Sequence, residues 1–214
     1  MTAATIITIT TATTTAAAAG TSAAMGTVLM LCRPVTPGPD ERIVAEARAF
    51  RRTLPGAAPL QACVSLDGSQ ACIYAWADSR LANRPEWSSL ARLATLCEWD
   101  GASARERAPY HYVVATDIEP AREIEFNSWY HTEHMPGLAA VRGTVRCARF
   151  RSLESRPRYR AVYDLTAPEV MQSDAWLAIR NTSWAGRIRP HFVNTTRTLF
   201  RTVLDERSEV ALAA

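Results

Sequence analysis

The chain contains no lysine. Its 214 residues carry 24 basic side chains, and every one is arginine. A lysine Schiff base, a P-loop lysine and the lysine of a pyridoxal-phosphate enzyme are therefore excluded. Excess charge is also scarce. The 24 basic residues face 21 acidic ones, and the net charge of +3 is too small to argue for a nucleic-acid partner. Cysteine pairs with metal-knuckle spacing are absent. Cys32, Cys63, Cys72, Cys97 and Cys147 are odd in number and scattered. That pattern predicts neither a zinc site nor a disulfide framework, but reduced thiols packed in the strands of a cytoplasmic protein. Long apolar runs are missing too. Residues 1–25 hold nine Thr and nine Ala, and no charge appears before Arg33. Thr breaks every apolar run and no basic segment precedes them, so neither a secretory signal nor a membrane-spanning helix is expected. The stretch reads as a disordered extension, or as the product of an upstream start with Met25 as the natural beginning.

What is present is enough for a core: 48% hydrophobic residues, with six Trp, six Tyr and five Phe. Alternation predicts strands over 27–33, 60–66 and 71–77, the last two joined by a turn at Asp67-Gly68-Ser69-Gln70. Helical spacing of Ile43, Val44, Ala47 and Phe50 predicts a helix over 40–52. Trp87, Leu90, Leu93, Ala94 and Cys97 predict another over 85–98. A polar linker follows at 100–108. The order then restarts: a strand over 109–117, a helix over 120–134 ended by Pro136, strands over 143–152 and 157–165, a helix over 168–180 and a strand over 191–203.

The chain thus carries βαββα, a linker and βαββαβ, a weak internal repeat. Each half has the order of a ferredoxin-like unit, an antiparallel sheet with both helices on one face. The expected fold class is α+β, with two such units packing sheet to sheet around a cavity. The expected divisions are the 1–25 extension, a degenerate unit over 26–103 without an obvious fourth strand, a second unit over 109–204, and a tail over 205–214.

The stretch with most chemistry is Glu125-Phe126-Asn127-Ser128-Trp129-Tyr130-His131-Thr132-Glu133-His134-Met135-Pro136-Gly137, which holds two of the four histidines. On a helix Phe126, Tyr130 and His134 fall in line, with Asn127 and His131 beside them. Pro136 predicts that His134 sits at a fraying helix end. Three readings compete. His134 can be a core or capping residue. His131 and His134 can offer two nitrogens to a metal, though no third ligand is evident. Or one histidine, flanked by Tyr, Asn and Trp, can move protons on a small enolisable substrate.

These residues resemble a family. Phe126-Asn127-x-Trp129-Tyr130-x-Thr132-Glu133-His134-x-Pro136, then Gly143, Arg146 to Phe150, Tyr159 to Leu165, and Trp184 with Arg187-Ile-Arg189-Pro190-His191-Phe192, look like the EthD-like dimeric α+β barrel proteins. The resemblance covers residues 109–203 and is faint in the first half. It implies a barrel of two ferredoxin-like units, within one chain or across a homodimer. It also implies chemistry without a cofactor on a small aromatic, lactone or polyketide-like substrate: isomerisation, decarboxylation, cyclisation or monooxygenation. Carried over by position, His134 is the expected catalytic acid/base, with Tyr130 and Asn127 orienting or stabilising an oxyanion. Phe126, Trp129, His131 and His111 are candidates for the pocket wall. Seven arginines lie within 142–160 against one acid, Glu154. They read as a solvated hairpin, with one inward arginine, Arg149, as the candidate anion binder. No nucleic-acid or membrane partner is expected, and a small-molecule binder without catalysis is the alternative from another class.

Overall fold

The computed structural model describes residues 26–54, 58–77 and 90–207. The first half contributes β1 (Thr27–Pro34), α1 (Asp40–Thr53), β2 (Leu60–Ser65), β3 (Gln70–Ala77) and β4 (Ala91–Asp100). The second contributes β5 (Tyr110–Ile118), α2 (Glu123–Trp129), α3 (Met135–Ala139), β6 (Thr144–Ser152), β7 (Tyr159–Leu165), α4 (Asp174–Arg180), α5 (Ser183–Ile188) and β8 (Phe192–Asp205). The predicted 1–25 extension and the 208–214 end of the tail lie outside the described residues.

The eight strands close into one barrel in the order β1-β3-β2-β8-β5-β7-β6-β4. Every neighbouring pair is antiparallel. Read as β4-β1-β3-β2 and β8-β5-β7-β6, the barrel is two sheets, each with the strand order of a ferredoxin-like unit. The two sheets enclose a shared interior, as the expected barrel of two ferredoxin-like units requires. They join edge to edge, β2 with β8 and β4 with β6, which leaves no free edge strand. The barrel closes within a single chain.

β4 corrects the predicted helix over 85–98. Residues 91–100 are a strand, and 85–89 lie outside the described residues. Ala, Arg, Leu and Glu favour a helix locally, but both β1 and β6 offer backbone partners here. β4 is therefore the fourth strand that the first half seemed to lack.

Alternation sorts the side chains. Val28, Tyr74, Leu93, Val113, Phe150 and Phe200, from six strands, share the interior of the barrel. On the outside, Ile43 and Ala47 of α1 cover Leu29, Ala62, Val64 and Ile73. The second-half helices cover Val114, Cys147, Ala161 and Tyr163. α1 begins with Asp40 and Glu41 and ends with Arg51 and Arg52, the arrangement its dipole favours.

The expectation of reduced thiols throughout is also corrected. Cys32 and Cys72 face each other across the β1–β3 pair and form a disulfide; Cys63, Cys97 and Cys147 are free. Only the strand register places Cys32 against Cys72, and register is not legible in the spacing of the cysteines. The polar linker at 100–108 is firmly held. Gly101, Ala102 and Ser103 donate their N–H groups to Val145, Ala139 and Thr144, and the Ser103 hydroxyl accepts from Gly143. No helix among the described residues is long and apolar enough to cross a membrane.

Candidate functional site

The helix predicted over 120–134 starts with a 3-10 turn, becomes α2, and then widens into a π turn over Tyr130–His134. The Met135 N–H bonds to the Tyr130 carbonyl, five residues back. The chain continues as α3 with Pro136 in its first turn, where a missing N–H costs little. Pro136 therefore does not end the helix. His134 lies within a continuous helical path and is only 8% exposed, which corrects its predicted place at a frayed end.

The π turn sets the directions of the motif. The His134 ring stacks on Trp129 at 4.2 Å between centroids and meets Tyr130 edge-on at 5.2 Å. The Trp129 indole N–H donates to Glu133 at 3.0 Å, and Glu133 also accepts from the Thr182 hydroxyl at 2.6 Å. Thr182 caps α5, so Glu133 ties the π turn to α5 and fixes the indole on which His134 rests. Trp129, Tyr130 and His134 together line a small pocket between the helices and the outer face of β5, β7 and β8. Its volume is about 50 Å³, enough for a water molecule or two.

Arg180, Arg189 and Arg197 also line this pocket, with Tyr112 and Phe192 beside them. Among the described residues no carboxylate forms an ion pair with these three arginines. Arg189 Nη1 donates to the Arg180 carbonyl at 3.3 Å and so bridges α4 and the start of β8. The sequence alone assigned a role to none of these three, and Arg180 and Arg197 drew no notice at all. One ends a helix and the other alternates along β8, positions that look like ordinary surface.

Burial, then the charges of Arg189, Arg149 and Arg180, push the His134 pKa down to about 3. The imidazole is therefore neutral at ordinary pH, and its Nδ1 is buried without a hydrogen-bond partner. Burial pushes the Tyr130 phenol up to about 12, although Arg149 acts against it. A neutral base, a neutral phenol and unpaired cations thus share one small site.

Asn127, Phe126 and Arg149 form a neighbouring cluster that does not line this pocket. Arg149 Nη2 donates to Asn127 Oδ1 at 2.7 Å. Its guanidinium lies 4.6 Å from the Phe126 ring, 4.3 Å from Tyr130 and 4.9 Å from Tyr159. Arg149 is buried, but it faces the helices and not the barrel. The arginines that turn inward are Arg146 and Arg160, two positions that strand alternation separates from it. His131 is exposed beside Trp99, 5.7 Å between ring centroids, and stands apart from His134.

His111 lies inside the barrel, away from His134. Its Nδ1 is 2.7 Å from Asp164 Oδ1, and its Nε2 is 3.4 Å from the Tyr74 hydroxyl. Asp164 also accepts from Gln61 at 2.9 Å and from Arg146 at 3.0 and 2.7 Å. Burial alone would raise the Asp164 pKa; Arg146, then His111 and Gln61, more than offset it and hold the carboxyl below its usual range.

No protein-family model matches the chain, and no curated protein matches it by sequence. Solved structures do match its fold. An anthrone oxidase-like protein superposes with a TM-score of 0.58 at 14% identity, covering 86% of this chain and 94% of that one. A monooxygenase-like protein from Listeria innocua gives 0.53 at 8% identity over 83% and 93%. Chlorite dismutase from Candidatus Nitrospira defluvii gives 0.52 at 12% identity over 91% and 97%. At such identities the likeness shows architecture, which several activities share. The chain has the dimeric α+β barrel fold, built from two ferredoxin-like units in tandem.

Proposed function

We propose that the protein is an EthD-like, cofactor-independent enzyme. It acts on a small enolisable substrate of aromatic, lactone or polyketide type, with His134 as the base. One observation carries this reading: the imidazole of His134 is buried, neutral and unpartnered at Nδ1, in a pocket lined by three arginines without carboxylate partners. A structural histidine normally spends its nitrogens on hydrogen bonds. Three arginines beside a pocket suit a substrate that carries or develops negative charge.

The chemistry follows from those groups. His134 accepts a proton from an acidic C–H or phenolic O–H, and the electron pair of the broken bond passes into an enolate. Arg189, Arg180 and Arg197 stabilise the charge on the enolate oxygen, and the neutral Tyr130 hydroxyl donates to it. The same charge offsets the arginine field that weakens His134 as a base, so the imidazole gains basicity once substrate is bound. Return of the proton to a different carbon completes an isomerisation. Attack of the enolate carbon on an internal carbonyl, with the proton passed from His134 to the new alkoxide, would complete a cyclisation; in a decarboxylation the enolate would form instead from the C–C electron pair left as carbon dioxide departs, and a proton from water would quench it.

Oxygenation is the second reading. The anthrone oxidase-like protein shares this fold over most of the chain, and an enolate is also the species that can reduce dioxygen without a cofactor. A small substrate needs more room than 50 Å³. The mouth, where α4 and the start of β8 are bridged through Arg189, is where that room would open.

Anthrone and a β-keto lactone in D2O serve as probes, with NMR following deuterium uptake at the acidic carbon and an electrode following dioxygen. The wild type should exchange faster than buffer, and His134→Gln should not. Dioxygen uptake would move the reading to oxygenation. Equal exchange in the His134→Gln protein would remove His134 from the chemistry.

A further inference from the structure

A second cavity is larger than the one that holds His134. It lies inside the barrel, at the mouth beside the β6–β7 connection, and has a volume of about 700 Å³. That is the size of site that small organic ligands occupy. Its inner wall is apolar, with Met30, Val113 and Phe200 turned inward from three strands. Its floor is Tyr74, whose hydroxyl meets His111, and His111 in turn meets Asp164. The opposite end of the barrel is plugged. There Arg207 pairs with Glu98 and lies on the Trp76 ring, and Arg146 bridges Asp164 and Asp205.

Two arginines line this space, Arg92, which pairs with Glu154, and Arg160. Arg160 lines the cavity and is only 9% exposed. Its one hydrogen bond goes from Nη1 to the Pro157 carbonyl at 3.0 Å. Among the described residues no carboxylate pairs with it. Asp117, the nearest in electrostatic effect, is already engaged by the Arg158 N–H, Asn194 and Arg156. Glu154 at the rim is paired with Arg92. A buried guanidinium without an anion is costly, and its forked donors match a carboxylate better than they match water. The plug shows the contrast, since the inward-facing Arg146 there has two carboxylates.

We propose that the barrel interior is a second binding site, separate from the His134 pocket, for a small organic carboxylate whose charge meets Arg160 and whose apolar body lies against Met30, Val113 and Phe200. With Arg92 taken by Glu154, one guanidinium is left for a ligand, which favours a monoanion with a hydrocarbon body; a phosphate dianion would call for more cations. Thr198, half-buried on β8, stands at the mouth of the cavity and offers a hydroxyl to the entering group.

The test is calorimetric titration of the full chain with 4-phenylbutyrate and with its uncharged amide. The wild type should bind the acid about tenfold more tightly than the amide, the worth of one charge-assisted contact. Arg160→Met should bring the two ligands to within about twofold of each other. Thr198→Trp, which keeps Arg160 but fills the mouth from a half-buried strand position, should abolish binding of both. Arg189→Met and His134→Gln should leave the preference for the acid intact. Equal binding of acid and amide by the wild type would overturn the proposal. So would a preference that survives Arg160→Met, binding that persists in Thr198→Trp, or a preference lost through Arg189→Met instead.

Discussion

The burial of one imidazole makes the stability of this protein depend on pH. His134 is held neutral down to about pH 3, whereas in the unfolded chain it protonates near 6.5. Between those values the unfolded state binds the extra proton, so the His134 contribution is complete above about 6.5 and is lost as the pH falls toward 3. Urea unfolding across that range should show a slope of up to about 1.4 kcal/mol per pH unit that His134→Gln flattens. The same substitution should lower turnover of a found substrate about 100-fold or more. Arg189→Met should instead raise KM for an anionic substrate about tenfold, since it removes a charge that attracts and holds the substrate. Helical spacing aligned Phe126, Tyr130 and His134, with Asn127 the third catalytic candidate and Trp129 a candidate for the pocket wall; of these the structure brings Trp129, Tyr130 and His134 to one pocket. Spacing could not separate them from Asn127 and Phe126, which share the helix but hold Arg149 on another face.

The deciding element is the π turn over Tyr130–His134. It adds one residue to a turn, accommodates Pro136 and brings His134 onto Trp129. Deleting the exposed Thr132 should restore α-helical register and swing His134 about 100° away from the indole, the angle of one residue on a helix. Turnover should then disappear and the near-ultraviolet circular dichroism of the Trp129 stack should change, with the far-ultraviolet spectrum kept. The glycines give a second contrast. A Cβ at Gly101 would fall within the Thr144 carbonyl, and neither backbone can yield. Gly101→Ala should cost about 2–3 kcal/mol in urea unfolding. Gly186 in α5 has open space, and Gly186→Ala should stabilise by about 0.5–1 kcal/mol. Most strands were legible to within a residue or two because alternation is local. β4 was not, because its residues favour a helix and only the flanking edges of β1 and β6 make it a strand.

At the scale of the molecule, the barrel is plugged at one end by buried ion pairs and open at the other. Asp164→Asn should cost about 3 kcal/mol, because it leaves Arg146 with only the more distant Asp205 at 3.6 Å. The depressed Asp164 pKa gives stability that is present above about pH 4, the ordinary carboxylate range, and is lost as the pH falls below it. Acid unfolding should therefore steepen below pH 4 in the wild type and lose that second limb in Asp164→Asn. The sequence by itself determined most of the strands, the doubling of the ferredoxin-like unit, and the chemistry available: histidine, tyrosine and arginine, never lysine. Those are properties of local pattern and composition. Only the tertiary structure decided that the two sheets join at their edges, that Cys32 meets Cys72, and that Arg160 and Arg146 enter the barrel while Arg149 turns to the helices. Register and closure depend on partners far away in the chain, and a shift of one residue in register would exchange the inner and outer face of a strand.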